Sequence, residues 1–450
     1  MNTVRETIDA YHALLDPATA AETYGQLTEQ QRRRGLFFGD RPLCTVLRPR
    51  FLRPEEYRAI QGAIRAIMPA FQKAHTAALT DADFRYQFRL NEWEEELVHL
   101  DPGFRVPSPT ARMDTFFDEA DHLYLTEYNA ETPAAIAYND VLTDVFYALP
   151  VMREFEKAYD VRPLPGRHHM LHALLDSYRQ WGGTEKPRLA ILDWHEVPTY
   201  SEFVLFRDYF QAQGYECVIA DPRDVTYQNG KLYAAGAPVH VIYKRVLISE
   251  LVQRGGLDHP VIRAVRDRAV CMVNPFACKI LHKKASLAVL SDEANARLFT
   301  PAERQAIERY VPWTRLMAER HTTYGGGHID LLPFLAKYKN EFVLKPNDEY
   351  GGKGIVLGWE VDQAEWEAAL QAALAEPTIV QKRVPLPKFP YASYVDEQVQ
   401  IYDRMLDTNP YIWYGAYVSG CLTRLSTVSL LNVTAGGGST VPTFIVEKRL

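Results

Sequence analysis

A lysine at the end of a predicted strand, followed by a glycine-rich loop, is the sharpest local signal in this 450-residue sequence. The segment 342–355 reads FVLKPNDEYGGKGI. Because glycine has no Cβ, the backbone N–H groups of such a loop can approach phosphate oxygens closely, and a lysine at the strand end reaches them as a point charge. The P-loop pattern GxxxxGK(S/T) is absent. The segment predicts phosphate binding by Lys345 and the loop glycines, with a plain β-hairpin and a flexible tip as the alternative.

Two consecutive lysines, Lys283 and Lys284, lie near the start of a second predicted element, the helix His282–Leu290. Cations at this end of a helix oppose its dipole, so the placement is unfavourable unless an anion lies nearby. The pair therefore indicates either a second anion contact or a solvated basic turn. The sequence does not separate the role of Lys283 from that of Lys284.

Acidic and amide side chains alternate on a predicted β-hairpin within residues 110–135. Alternate residues of a strand face the same way, so Arg112 shares a face with Asp114, and Glu127 shares one with Asn129. If the two strands pair, two carboxylates and an amide oxygen converge. Oxygen ligands of this kind suit magnesium, which also keeps water and substrate phosphates in its shell. The alternative is a surface hairpin with scattered acids.

A later arginine, Arg424, follows a predicted strand and could stabilise charge on a transferring phosphoryl group. The segment 187–275 alternates strand, helix and strand, which predicts a parallel sheet whose ligands bind beyond the carboxyl ends of its strands. The charged residues near those ends form the expected wall of a substrate site: Asp193, Glu196, Glu202, Lys244 and Arg245.

The elements that must position these residues belong to a mixed α/β chain. Apolar residues at three- and four-residue steps predict a helix over Pro54–Ala78, in which Pro69 is expected to kink or split the chain. Further helices are predicted around Val141–Tyr159 and His169–Trp181. Three neighbouring histidines (168, 169 and 172) lack an acidic or cysteine partner at ligand spacing, so they predict no metal site.

The order of these motifs resembles the circularly permuted branch of the ATP-grasp superfamily, which includes glutathionylspermidine synthase. In an ordinary ATP-grasp chain the two lysines precede the metal-binding acids, whereas here the acids precede the lysines. The resemblance spans about 320 residues, from Thr110 to Leu431. The chain has no amidase domain with a Cys–His arrangement, so it is more similar to the broad bacterial set of permuted ATP-grasp proteins, and substrate identity does not carry over.

The resemblance implies ATP and Mg²⁺ as cofactors and a role for each matching residue. Two Mg²⁺ ions would be held by Asp114, Glu127 and Asn129. The ATP phosphates would be contacted by Lys284 and Lys345, with the loop glycines Gly351, Gly352 and Gly354. The adenine hinge would comprise Gln381, Lys382 and Val384. The γ-phosphate or the acyl phosphate would face Arg112 and Arg424.

The same resemblance implies the fold class, an α/β, circularly permuted ATP-grasp fold with a parallel-sheet unit and a helical N-terminal region. Five regions are predicted. They are a helical N-terminal region (1–105), a permuted ATP-grasp segment with the metal-binding hairpin (106–186), a Rossmann-like βαβ substrate unit (187–275), a nucleotide-binding lid (276–384) and C-terminal core strands (385–450).

The predicted function is an ATP- and Mg-dependent ligase that joins a carboxylate to an amine through an acyl phosphate. Two alternatives stay open: a phosphotransferase on the same scaffold, and an ATP-binding protein without catalysis. Composition excludes other classes. The net charge of −7, without a long basic block, argues against nucleic acid. Five scattered cysteines predict no disulfide framework. The absence of an apolar leader and of an 18-residue apolar run predicts a cytoplasmic protein that does not bind membranes. The partners expected of the predicted ligase are small-molecule substrates.

Overall fold

The structure is a computed structural model that describes residues 4–427 and 438–449. Part of the predicted C-terminal region, residues 428–437 and 450, lies outside the described residues, and so does Leu431, where the family resemblance ends. The helices are α1 (Val4–His12), α2 (Pro17–Arg33), α3 (Pro54–Thr80), α4 (Ala82–Tyr86), α5 (Glu92–Leu97), α6 (Ile136–Ala148), α7 (Pro150–Phe155), α8 (Arg167–Trp181), α9 (Tyr200–Ala212), α10 (Ile248–Gly255), α11 (Pro260–Arg266), α12 (Cys278–His282), α13 (Ala285–Ser291), α14 (Pro301–Tyr310), α15 (Leu331–Lys337) and α16 (Gln363–Ala375).

The strands alternate with these helices along the chain. They are β1 (Phe37–Phe38), β2 (Arg41–Pro42), β3 (Arg50–Leu52), β4 (Thr110–Phe117), β5 (Leu123–Asn129), β6 (Tyr159–Pro163), β7 (Leu189–Leu192), β8 (Cys217–Ala220), β9 (Thr226–Gln228), β10 (Lys231–Ala234), β11 (Ala237–Pro238), β12 (Val241–Lys244), β13 (Cys271–Val273), β14 (Thr314–Leu316), β15 (His321–Tyr324), β16 (Gly327–Asp330), β17 (Phe342–Pro346), β18 (Val356–Leu357), β19 (Thr378–Lys382), β20 (Lys388–Val395), β21 (Gln398–Leu406), β22 (Asn409–Trp413), β23 (Tyr417–Ser426), β24 (Ser439–Val441) and β25 (Thr443–Lys448).

A seven-stranded antiparallel sheet is the centre of the molecule. Its strands run in the order β20-β21-β23-β22-β4-β5, with β24 beside β23. The long helix α3 buries its apolar stripe against this sheet, and Phe71 meets Tyr128 of β5 edge-on with ring centroids 4.9 Å apart. Each large apolar side chain buried in this way contributes roughly 1.5–3 kcal/mol. The predicted hairpin is therefore part of a central sheet with a helix packed across it.

A small sheet joins the two ends of the described chain. The C-terminal strand β25 runs parallel to β3 from the N-terminal region and antiparallel to β6. Helices α1, α2, α6 and α7 share one apolar core with this region, which includes stacked rings of Phe51 and Phe155 at 5.1 Å. The N-terminal region is mostly helical, as predicted, although β1 to β3 interrupt it.

Two further sheets are formed by the chain between β5 and β20 of the central sheet. The strands of the segment 187–275 form the predicted parallel sheet in the order β13-β12-β7-β8. The second sheet is antiparallel, in the order β14-β19-β17-β18, and has its own core around Trp366 with α15 and α16. Strand β17 carries Lys345 as its next-to-last residue and leads into the glycine-rich loop. The boundaries of the five predicted regions stay predictions.

Two details of the predicted helices differ from the structure. The helix does not split at Pro69, because α3 runs unbroken from Pro54 to Thr80, and the kink expected there as the alternative stays a prediction. The helix predicted over 141–159 is two helices, since Pro150 begins α7 at a position where its missing N–H is tolerated. The pair Lys283–Lys284 links α12 to α13 and so does stand at the start of a helix.

Buried charges tie these segments together behind the glycine-rich loop. The side chain of Glu131, which is fully buried, accepts from Lys279 Nζ at 3.0 Å and from the backbone N–H of Ile248 at 2.6 Å, and it lies 3.5 Å from Lys244 Nζ. Lys279 also lies 2.7 Å from Asp348 in the loop. Burial alone would raise the pKa of Glu131, but the two lysines outweigh it and hold that pKa well below its usual range.

None of the described helices is both long and apolar enough to cross a membrane. All five cysteines are buried and unpaired, in agreement with the predicted absence of a disulfide framework.

The buried carboxylate of Glu131 should be essential to stability. Glu131→Gln keeps the volume but leaves two buried lysines with too little negative charge, so we expect a loss of about 3–5 kcal/mol in the free energy of unfolding. The measurement is urea-induced unfolding followed by circular dichroism. The control is Glu154→Gln, which removes an exposed pair with Lys157 and should leave the unfolding midpoint unchanged. Equal midpoints for all three proteins would contradict the assignment.

Candidate functional site

The hairpin β4–β5 pairs the four residues that the sequence singled out. Arg112 stands opposite Asn129, and Asp114 stands opposite Glu127 on the neighbouring strand. The register of the two strands shifts only after Asp114, so both pairs belong to the same regular stretch of the hairpin. Carboxylates directly opposite on adjacent strands repel one another, so their charge must be balanced from elsewhere.

Two arginines balance the charge of Asp114. Arg112 donates from Nε to Oδ1 at 2.6 Å and from Nη2 to Oδ2 at 3.2 Å, and Arg424 of β23 donates from Nη2 to Oδ2 at 2.7 Å. Burial alone would raise the pKa of Asp114, but the two guanidinium groups outweigh it and hold that pKa below its usual range. Strand β22 lies between β4 and β23, so only the folded sheet brings Arg424 to this carboxylate.

Lys284 balances the charge of Glu127 and links it to the glycine-rich loop. Its Nζ lies 3.3 Å from Glu127 Oε1 and donates to the backbone carbonyl of Glu349 at 2.6 Å. Lys283 is turned away, to Glu94 Oε2 at 2.8 Å and Asp348 Oδ2 at 3.1 Å. The structure thus separates the two lysines by position, with Lys284 beside the hairpin acid.

Lys345 projects into the same space from the end of β17. Its Nζ donates to Gln381 Oε1 at 2.7 Å and to the backbone carbonyl of Thr126 at 3.3 Å. No carboxylate among the described residues lies within 4 Å of it. Burial lowers the pKa of Lys345 to about 8, with Lys284 adding to the effect and Glu127 opposing it. Lys345 is therefore a half-buried cation held by neutral oxygens.

One cleft collects residues from the central sheet and from the antiparallel sheet β14-β19-β17-β18. It encloses about 760 Å³ of empty space, including its open mouth. The central sheet and its turns contribute a mostly polar and charged side, which together with Lys345 is called the charged end: Asp114, Thr115, Phe116, Thr126, Glu127, Asp407 and Arg424. The other sheet and its loops contribute a largely apolar side beside Gln381 and Lys382, called the apolar slot: Val343, Ile355, Leu357, Trp359, Arg383, Val384 and Leu386. A cleft with apolar and charged sides suits a ligand that carries groups of both kinds.

Other predicted residues border the cleft without lining it. Arg112 and Lys284 contact the carboxylates that line the cleft. Asn129 of β5 stands opposite Arg112 of β4. The loop glycines Gly351, Gly352 and Gly354 all have positive φ, and a Cβ on Gly354 would come within 2.7 Å of Pro346 Cγ. The loop therefore requires glycine at this position to fold back over β17.

The sequence pattern missed Asp407, which precedes β22. Its Oδ2 accepts from Arg424 Nε at 2.6 Å and its Oδ1 accepts from the backbone N–H of Arg424 at 2.7 Å. Burial raises the pKa of Asp407, and Arg424 opposes that shift. Asp407, Arg424, Asp114 and Arg112 thus form a line of alternating charge. The sequence carried no signal for it, because an acid in a turn before a strand is a common turn residue.

The cleft brings two carboxylates of the hairpin and the ammonium group of Lys345 into one space. Carboxylate oxygens of Asp114 and Glu127 are suitable ligands for a divalent metal that keeps water in its shell. Among the residues that the structure describes, no group of three or more His, Cys, Asp or Glu side chains is arranged to hold a metal. The predicted set has two carboxylates and one amide, so any metal would complete its shell from outside the protein.

Comparison with known proteins gives a family and a fold. A family model for circularly permuted ATP-grasp type 2 matches residues 86–426. The chain is similar to a solved glutathione synthetase-like effector from Globodera pallida in its apo form, with 11% identity and a TM-score of 0.59 over 96% of this chain and 98% of that chain. D-alanyl-alanine synthetase A from Vibrio cholerae aligns at 9% identity over 57% of this chain and 74% of that chain, and its TM-score of 0.30 is too low to support an argument. No curated protein sequence matches.

Lys345 should titrate far below an ordinary lysine. Its charged form is disfavoured by burial, so we expect it to be protonated below about pH 8 and neutral above it. The measurement is ¹³C NMR of reductively methylated protein, in which Lys345→Arg identifies the signal by its loss. The reference is the ordinary lysine pKa of about 10.4. A Lys345 signal that titrates with the exposed lysines would contradict this environment.

Proposed function

Because the chain belongs to the circularly permuted ATP-grasp type 2 family, we propose that it is an ATP- and magnesium-dependent ligase that joins a carboxylate to an amine through an acyl phosphate. One observation carries the proposal. The carboxylates of Asp114 and Glu127 share a cleft with Lys345, although more than 200 residues separate them along the chain. The substrates are small molecules, and the ATP-grasp superfamily gives the class of reaction without their identity.

The cleft has a separate region for each part of a nucleotide. The adenine ring would enter the apolar slot beside Gln381, Lys382 and Val384. The phosphates would lie at the charged end, where Lys345 and Lys284 would exchange their present oxygen partners for phosphate oxygens. Backbone N–H groups of Gly351, Gly352 and Gly354 would cover them. This arrangement is supported by Lys345, whose present partners are neutral oxygens, so a phosphate would be its first anionic partner.

The donor set fits a magnesium ion once nucleotide phosphates are present. Asp114, Glu127 and Asn129 would hold the metal, whose contribution is to neutralise charge on the phosphates and orient them. Both carboxylates now accept from cations, so the ion would compete with Arg424 and Lys284 for them. A phosphate that draws Lys284 towards itself frees Glu127 for this role.

The proposed reaction has two steps. A carboxylate oxygen attacks the γ-phosphorus of ATP, the bond to the β,γ-bridging oxygen breaks, and ADP leaves. The amine nitrogen then attacks the acyl carbon, a C–N bond forms, the C–O bond to the phosphoryl group breaks, and the amine proton leaves with phosphate. Arg424 and Arg112 stabilise charge on the transferring phosphoryl group, and Asp407 holds Arg424 in place. The cleft supplies position and charge, and no side-chain nucleophile is needed.

The decisive experiment is an ADP-release screen of the purified protein over carboxylate and amine libraries, with mass analysis of the products. A ligase couples ADP release to a new amide. A phosphorylated alcohol in place of an amide would establish the phosphotransferase alternative. ATP binding without ADP release across the whole library would establish the non-catalytic alternative.

Lys345→Ala should weaken nucleotide binding. It removes a charged donor to phosphate, so we expect a loss of about 1.5–3 kcal/mol, or roughly 10- to 150-fold in Kd. The measurement is calorimetric titration with a non-hydrolysable ATP analogue and Mg²⁺. Lys337→Ala, at an exposed lysine on α15, is the matched control. An unchanged affinity in Lys345→Ala would remove this lysine from the site.

Glu127→Gln should abolish turnover while preserving the fold. The amide keeps the size of the side chain but loses the charge that a divalent ion requires. The assay is ADP release at saturating Mg²⁺, with the melting temperature as a check on folding. Normal ATP consumption by a folded Glu127→Gln protein would rule out a metal-ligating role for this residue.

A further inference from the structure

The carboxyl ends of three neighbouring parallel strands form an edge that the nucleotide cleft does not include. Strands β8, β7 and β12 lie side by side, and the residues that follow them meet at this edge. The residues are Asp221 after β8, Asp193 after β7, and Lys244 with Arg245 at the end of β12. Ligands of parallel sheets bind beyond such ends.

The cations of this edge are already engaged. Lys244 is buried 3.5 Å from Glu131, and Arg245 lies 3.5 Å from Glu202, whose carboxylate also accepts two backbone N–H groups. Arg223 donates to Asp221 at 2.6 Å. The exposed Glu196 is paired with Arg223 and Arg254. Each of these charges therefore has a partner of opposite sign.

Asp193 is different, because it is buried and has no ion-pair partner among the described residues. The residue is only 6% exposed, and its Oδ1 accepts a hydrogen bond from the backbone N–H of Trp194 at 2.8 Å. Burial raises the pKa of Asp193 to about 6, with Arg245 opposing and Glu250 adding to the shift. Among the described residues Glu250 accepts from Trp194 Nε1 and forms no ion pair. A buried carboxylate without an ion pair is unfavourable unless a cation arrives.

A short chain segment links this edge to the hairpin that lines the cleft. Arg245 Nη1 donates to the carbonyl of Pro133 at 2.9 Å, and Arg112 Nη1 donates to the carbonyl of the next residue, Ala134, at 3.2 Å. The two guanidinium groups therefore bind consecutive carbonyls of one segment. Arg245 follows β12, the neighbour of the strand that precedes Asp193, and Arg112 contacts Asp114 in the cleft.

We propose that Asp193 binds the ammonium group of the amine substrate and accepts one of its protons, so that the neutral amine attacks the acyl phosphate. This rests on the proposed ligase function and adds the chemical class of the second substrate, a primary amine that is positively charged in solution. A carboxylate in a site shielded from water attracts an ammonium ion more strongly than the same group on the surface. The ammonium group of the substrate would be the ion-pair partner of Asp193.

The variant Asp193→Asn tests the proposal. It is assayed with the carboxylate substrate that the ADP-release screen identifies and with two different nucleophiles. Ethylamine is an ammonium ion at neutral pH, whereas hydroxylamine is uncharged and traps acyl phosphates as hydroxamates. We expect the variant to raise KM for ethylamine at least tenfold and to form hydroxamate within twofold of the wild-type rate. The hydroxylamine reaction also checks that the variant is folded and activates the carboxylate.

The matched control is Asp221→Asn at the neighbouring strand end, where the carboxylate is already paired with Arg223, and its KM for ethylamine should stay within twofold of the wild-type value. An equal loss of activity with both nucleophiles, or an unchanged KM for ethylamine in Asp193→Asn, would overturn the role of Asp193 and leave the ligase function standing. A wild-type protein that forms no hydroxamate with any carboxylate would overturn the ligase function and this inference together.

Discussion

Two carboxylates that face each other on adjacent strands set the main constraint on this molecule. Asp114 and Glu127 are directly opposed in the register of β4 and β5, an arrangement that is unfavourable for like charges. The fold tolerates it because cations arrive from distant segments: Arg424 from β23 and Lys284 from the start of α13. Each such cation also anchors its own segment, so the charge balance of the hairpin holds the central sheet and the glycine-rich loop in place.

The balance is not the same for every charge in the cleft. The acids have cationic partners, while Lys345 is held only by the side chain of Gln381 and a backbone carbonyl. A ligand that brings several negative charges would therefore satisfy Lys345 and compete for Lys284 at the same time. A divalent cation could then replace Lys284 beside Glu127. In this view the charges of the cleft form a network that the proposed metal–nucleotide complex would rearrange.

Buried charge is used for a second purpose behind the loop. Glu131, only two residues beyond the hairpin, gathers Lys279, Lys244 and the start of α10 around one carboxylate. Because these groups come from the parallel sheet and from α12, the cluster links both to the end of the hairpin. Asp193 stands apart from this pattern, since its carboxylate is buried without an ion pair among the described residues. The contrast between the two acids is the basis for assigning one to the fold and the other to a substrate.

The sequence by itself determined the hairpin, the parallel sheet, the strand that ends in Lys345 and the order of the motifs. Those features depend on local periodicity and on residue types at short spacing, which a single chain displays directly. It did not reveal that Asp407 belongs to the cleft or which of Lys283 and Lys284 contacts Glu127. It also did not reveal that Asp193 differs from its charged neighbours in forming no ion pair among the described residues. Each of these depends on which groups become close after folding, as when Arg424 reaches Asp114 across an intervening strand. Only the tertiary structure decides them, because electrostatic partners more than 200 residues apart leave no periodic trace along the chain.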